Sequence, residues 1–160
     1  MIAVFSRGMV RGIPGLAALL GEKICFRPRT PTSTTQAVAG WGAKPGTARA
    51  RAFASRHGLP FLAVEDGFLR SVELGARGAP PLSIVVDDLG IYYDARRASR
   101  LETLIAAPLE SGQAARAREL VQRWRLGRLS KYNHAREWAA RLTEPYVLVV
   151  DQTRGDASIR

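Results

Sequence analysis

Apolar residues fall along the chain in short, evenly spaced blocks. Residues 1–6 (Met-Ile-Ala-Val-Phe-Ser) form an uninterrupted apolar run, as expected of a parallel strand covered on both faces. Gly8 and Gly12 bracket a predicted loop, and Ile13 to Leu20 then reads as a short helix. Pro14 suits its first turn and Gly21 its stop. Ile24–Phe26 and Ala37–Trp41 read as the next two strands, separated by the Pro/Thr-rich loop 27–35. A basic helix is predicted over 46–57, where His57-Gly58 followed by Pro60 marks the stop. Phe61–Val64 is a fourth strand. Residues 75–81 form a Gly/Pro turn before a fifth strand at Leu82–Val86, and Gly90–Asp94 offers another short strand.

Ser99-Arg100-Leu101-Glu102 has the capping-box pattern of a helix start. A longer helix is expected over 112–127, with Leu120, Val121 and Trp124 on one face, and another over Tyr132–Leu142. Tyr146–Val150 then repeats the buried-strand signature. The alternation predicts βαβ units, hence an α/β fold with a mostly parallel sheet and flanking helices. Residues 1–144 read as one lobe. Residues 145–160 read as the start of a truncated second lobe that packs poorly by itself.

Composition narrows the class. Of 160 residues, 46% are hydrophobic and 24% charged, enough apolar material for a core. Cys25 is the one cysteine, so no internal disulfide forms, and no apolar run reaches membrane-spanning length. The net charge is +10, and all basic residues except Lys23, Lys44 and Lys131 are arginines. Such a surface suits nucleic acid, an anionic membrane or an acidic sugar, or else reflects arginine-biased composition. The aromatics do not interleave with a basic stripe as in single-strand readers, so no nucleic-acid partner is expected.

The aspartates all lie at or just beyond strand-like segments: Asp66, Asp87, Asp88, Asp94, Asp151 and Asp156. In open α/β sheets that is where ligands bind. In Glu65-Asp66-Gly67-Phe68-Leu69-Arg70-Ser71, Arg70 is either an anion clamp or the partner of Asp66 in a tight turn. Asp87-Asp88, followed by Tyr92-Tyr93-Asp94, suggests a metal, but two adjacent acids supply few ligands. Capping a helix with one and holding an arginine with the other is the favoured account. Ser130-Lys131-Tyr132-Asn133 is a polar helix start. His57 and His134 are far apart, so neither a zinc pattern nor a Cys/His nucleophile pair exists, and no metal site is expected. Asp151 and Asp156 lie five apart across a glycine-containing loop, which suits carboxylate-assisted glycosyl chemistry.

Taken in order, several stretches resemble the capsule polysaccharide β-Kdo transferases of the KpsC/LipA type. They are Gly40-Trp41-Gly42-Ala43-Lys44-Pro45, Glu65 to Ser71, Pro80-Pro81-Leu82-Ser83, Val85 to Asp94, Ser130 to Asn133, and Val147 to Thr153 with Gly155, Asp156 and Ser158. Ala43 and Ala98 depart from the pattern. The resemblance implies the Rossmann-like, acceptor-side N-terminal lobe of a GT-B-like glycosyltransferase. Such an enzyme moves Kdo from CMP-Kdo, with retention, onto a phospholipid-linked Kdo linker. It implies Asp156 as catalytic carboxylate, with Asp151 positioning the loop. Lys44, Glu65, Asp66, Arg70, Asp87, Asp88, Tyr93, Lys131, Asn133 and Gln152 are the implied substrate-binding residues. No cofactor is expected beyond the donor substrate. The implied setting is cytoplasmic and peripheral to the inner membrane, beside the capsule assembly machinery. A chain lacking the second lobe is expected to be inactive alone. The competing reading is a non-catalytic basic α/β module that binds anionic lipid or nucleic acid.

Overall fold

A computed structural model describes residues 1–42, 45–135 and 143–151. Its centre is a five-stranded sheet: β1 (Ile2–Val4), β2 (Ile24–Phe26), β3 (Ala37–Trp41), β4 (Phe61–Asp66) and β5 (Ile84–Asp87), in spatial order β2-β1-β3-β4-β5. The first four strands run parallel. β5 runs antiparallel to β4, with Ala63 opposite Asp87 and Asp66 opposite Ile84.

Side chains alternate across the pleat, so each central strand feeds two cores. Ile2, Val4, Ala37, Ala39 and Val64 face one side. There they meet Met9 of α1 (Arg7–Gly12) and Leu16 of α2 (Leu16–Leu20), with Ile13 between them. Ala3, Phe5 and Val38 face the other side, against Ala50 and Ala54 of α3 (Ala48–Arg56). Val4, Val38 and Val64 are fully buried. At about 1.5–3 kcal/mol each, such residues hold the layers together. The chain moves one way from β1 to β2 and the other way from β3 to β4. Right-handed crossovers therefore put the intervening helices on opposite faces. The result is the expected Rossmann-like α/β lobe.

The structure also corrects the sequence reading locally. Residues 7–12 are helical, because the Ser6 hydroxyl accepts from Met9 N–H at 3.2 Å and Met9 is buried beneath the sheet. Those gains outweigh the intrinsic cost of Gly8. Gly90–Asp94 is a turn, with Asp94 N–H on the Ile91 carbonyl at 2.9 Å. β5 starts two residues later than expected, since Leu82 N–H is drawn to the Arg70 carbonyl at 2.7 Å.

The capping box forms as read. Ser99 and Glu102 exchange hydrogen bonds at the start of α4 (Arg100–Ala106). α5 (Ser111–Leu126) is a helix, but none of its residues is buried, and Leu120, Val121 and Trp124 are about half exposed. Residues 132–135 are not helical, and the rest of the helix expected over Tyr132–Leu142, residues 136–142, lies outside the described residues. Tyr146–Val150 is not a strand here. Among the described residues it pairs with no strand, and its side chains are 66–89% exposed. An apolar run becomes a strand only where another edge satisfies its backbone.

Candidate functional site

The connections leave β1 and β3 in opposite directions, so their carboxyl ends form the topological switch point of the sheet. A cavity of about 300 Å³ opens there, lined by Ser6, Gly8, Met9, Gly12, Trp41 and Arg70 among others. Gly8 and Gly12, four apart on α1, contribute only backbone to their part of the crevice wall.

Arg70 is the hub of its floor. Its side chain is only 9% exposed, and its Nε lies 2.8 Å from Asp66 Oδ1 in an ion-pair contact that lacks hydrogen-bond alignment. Its Nη1 donates to the Ala79 carbonyl at 2.7 Å and to Ser71 Oγ at 2.9 Å. Gly75 packs so closely that a Cβ there would meet the guanidinium carbon at 2.7 Å. The turn reading of Asp66 and Arg70 is thus realised, and Arg70 also faces the crevice. The distant Ser130–Asn133 segment returns to this point. The Lys131 carbonyl accepts from Arg70 and Ser71 N–H, Ser71 bridges to Tyr132, and Asn133 N–H donates to the Val72 carbonyl at 2.8 Å. The Asn133 amide closes its own turn through Ser130 N–H and the Ser130 carbonyl. The Lys131 side chain is exposed, with Nζ 5.9 Å from the Tyr132 ring centroid.

A second convergence joins three motifs. Tyr93 donates its hydroxyl to Glu65 Oε2 at 3.1 Å. Gly42, at φ +54°, sits against both groups, and a Cβ there would strike the Tyr93 oxygen. Gly42 N–H also donates to the Val64 carbonyl at 2.8 Å. Only glycine meets both demands, a left-handed backbone and this close approach.

The paired aspartates organise the far side of β5. Asp87, 1% exposed, accepts from Leu89 and Gly90 N–H through Oδ1 and from Arg100 N–H through Oδ2. Asp88 holds the Arg100 guanidinium in a fork at 2.7 and 2.8 Å, and that hydrogen-bonded pairing lowers its pKa. Asp94 is gripped by Arg96 through both oxygens, which brings its carboxyl down to about 2. These residues border a larger cavity of about 560 Å³ between α3 and the 88–97 loop. Among the described residues no cluster of three or more His, Cys, Asp or Glu is arranged to hold a metal.

Lys44, Gln152 and Asp156 lie outside the described residues, and Asp151 is exposed at the end of the described chain. The sequence reading missed Ser6, gave Trp41 only as part of a motif, and named Asp87 and Asp88 but not Arg51 and Arg97 of the larger cavity. The end position of Ser6 on a first strand was the available signal for the crevice.

A Rossmann-like lobe with a crevice at the switch point, floored by a buried arginine, is the class these features define. The family described as capsule polysaccharide biosynthesis protein matches residues 36–140, and the chain belongs to that family. The capsule polysaccharide modification protein LipA of Neisseria meningitidis serogroup A is 49% identical over 163 aligned residues, covering 97% of this chain. The lipopolysaccharide-processing protein LpsZ of Rhizobium meliloti is 42% identical over 133 residues, covering 79% of this chain. The chain spans only 23% of that LipA and 30% of LpsZ. The solved Thermosulfurimonas dismutans KpsC, beta Kdo 2,4 transferase, superposes with a TM-score of 0.86 at 40% identity. The match covers 99% of this chain and 50% of that one. The beta Kdo 2,7 transferase of the same organism, at TM-score 0.60 and 23% identity, shares the fold. Among the described residues no helix is long and apolar enough to cross a membrane.

Proposed function

We propose that this chain is the acceptor-side lobe, residues 1–144, of a GT-B-like retaining β-Kdo transferase, and that residues 145–160 lead into its second lobe. The observation that carries the reading is the match to the solved Kdo transferase along nearly the whole chain, together with the ordered motifs. The donor is CMP-Kdo and the acceptor a phospholipid-linked Kdo linker. The reaction takes place at the cytoplasmic face of the inner membrane, beside the capsule assembly machinery.

In this mechanism the Asp156 carboxylate attacks the anomeric carbon of Kdo. The bond to CMP breaks and a Kdo–Asp156 ester forms. An acceptor hydroxyl then attacks the same carbon from the opposite face, loses its proton to solvent or a nearby base, and releases the carboxylate. Two inversions give net retention. Asp151 and Gln152 position that loop. Arg70, facing the switch-point crevice, meets the carboxylate of an acidic sugar, and Lys44 joins it. Glu65 and Tyr93 hold the adjoining wall through their hydrogen bond.

The test is Asp156→Ala in the full native protein, assayed with CMP-Kdo and a Kdo-bearing lipid acceptor. Transfer is expected to fall by about three orders of magnitude or more, as for other lost nucleophiles. Normal transfer by this variant overturns the assignment.

A further inference from the structure

Two arginines of the larger cavity have no task in the transfer chemistry. Arg51 rises from α3 and lays its guanidinium 4.0 Å from the centroid of the Phe61 ring. Stacking occupies the face of the group and leaves its in-plane N–H donors pointing outward. Arg97 approaches from the 88–97 loop, and both line the 560 Å³ cavity.

The acids of that cavity are already engaged. Asp87 takes three backbone N–H groups, Asp88 takes Arg100 and Asp94 takes Arg96. Among the described residues, neither Arg51 nor Arg97 makes an ion pair. Partial burial, followed by the like charge of Arg97, pushes the Arg51 guanidinium below its ordinary range, against a smaller opposing pull from Tyr93 and Asp94. Two like charges held in one cavity, with their donors free, form a receptor for an anion. A carboxylate presents one planar edge, which matches a single guanidinium fork. A phosphate offers enough oxygens for two guanidinium groups arriving from separate elements.

We propose that the cavity between α3 and the 88–97 loop is a phosphate-binding site, in which Arg51 and Arg97 grip the phosphate group of a bound ligand. The site uses neither Asp156 nor Arg70, although Asp87 and Asp88 border it, and phosphate binding is read without a transfer assay, so its failure is distinguishable from a failure of the transfer reading. Phe61 fixes the plane of Arg51, and the Asp94–Arg96 fork holds the loop that carries Arg97.

The experiment is calorimetric titration of the full native protein with inorganic phosphate and glycerol phosphate. It is repeated on Arg51→Gln, Arg97→Gln, the double variant, and a charge-matched control, Arg116→Gln/Arg118→Gln on α5. Thermal melts without phosphate check that each variant folds. Each single substitution is expected to weaken phosphate at least fivefold, and the double variant to abolish saturable binding, with the control unchanged. Vesicles of phosphatidylglycerol, compared with phosphatidylcholine, identify the source. Retention on the anionic vesicles that is lost in the double variant assigns a lipid headgroup. Phosphate binding without vesicle preference assigns a soluble phosphate compound. No saturable phosphate binding by the native protein, equal affinity in the double variant, or equal loss in the control overturns the proposal.

Discussion

Removing the Arg70 side chain tests whether that buried ion pair holds the crevice floor together. In Arg70→Ala, Asp66, whose side chain is 18% exposed, keeps its carboxylate but loses the cation 2.8 Å away. Breaking a buried pair by deleting one partner costs about 3–5 kcal/mol. Residual exposure of Asp66 argues for the lower end. Stranding the Ala79 carbonyl, which Arg70 serves at 2.7 Å, adds about 1 kcal/mol. The sum is about 4 kcal/mol. For a domain of this size that lowers Tm by roughly 8–16 °C. Urea unfolding of the native protein and the variant measures it, with an unchanged m value showing that the denatured state is not altered. Asp66→Ala/Arg70→Ala closes a double-mutant cycle. Because the second change removes the carboxylate the first one strands, the double variant should be more stable than the sum of the singles by about 1.5–3 kcal/mol. A loss below about 1 kcal/mol for Arg70→Ala, or strict additivity, refutes the reasoning.

Asp87→Asn keeps an acceptor for Leu89 and Gly90 N–H but turns a donor toward Arg100 N–H, and should cost about 2–3 kcal/mol in urea unfolding. A change under about 0.5 kcal/mol would remove its role in anchoring α4. The Asp94 carboxyl, held at about 2 by Arg96, lies below its unfolded value near about 3.9. Its stabilisation is therefore complete above about pH 4 and is lost as pH falls from there to about 2. Carboxyl NMR titration should place Asp94 near 2 and show it rising toward the ordinary aspartate range in Arg96→Gln; an ordinary value in the unsubstituted protein contradicts the fork.

The chain by itself determined what nearest neighbours control. The limits of β2 and β3 follow from β-branched and apolar runs closed by glycine, proline and polar residues. The start of α4 follows from Ser99 and Glu102, three positions apart, and the end of α3 from His57-Gly58. Each of these signals acts within about one helical turn, where bonding partners are fixed by the covalent chain. The tertiary structure decided the rest. It made residues 7–12 a helix by burying Met9, and it turned β5 antiparallel. It left Tyr146–Val150 exposed, because apolarity supplies a reason to be buried but not the strand edge to pair with.

The site shows the same division. Its motifs were readable, but their partners were not. Tyr93 reaches Glu65 across 28 residues, and Asn133 reaches Ser71 across 62. Asp87 and Asp88 carry the same sequence signal, yet one is buried under three N–H groups and the other sits at the surface with Arg100. Arg51 and Arg97 differ from the many other arginines only in where the fold puts them. A side chain's type sets what it can bind. Which groups remain unpaired is settled only when distant segments meet and satisfy, or fail to satisfy, one another's charges and hydrogen bonds.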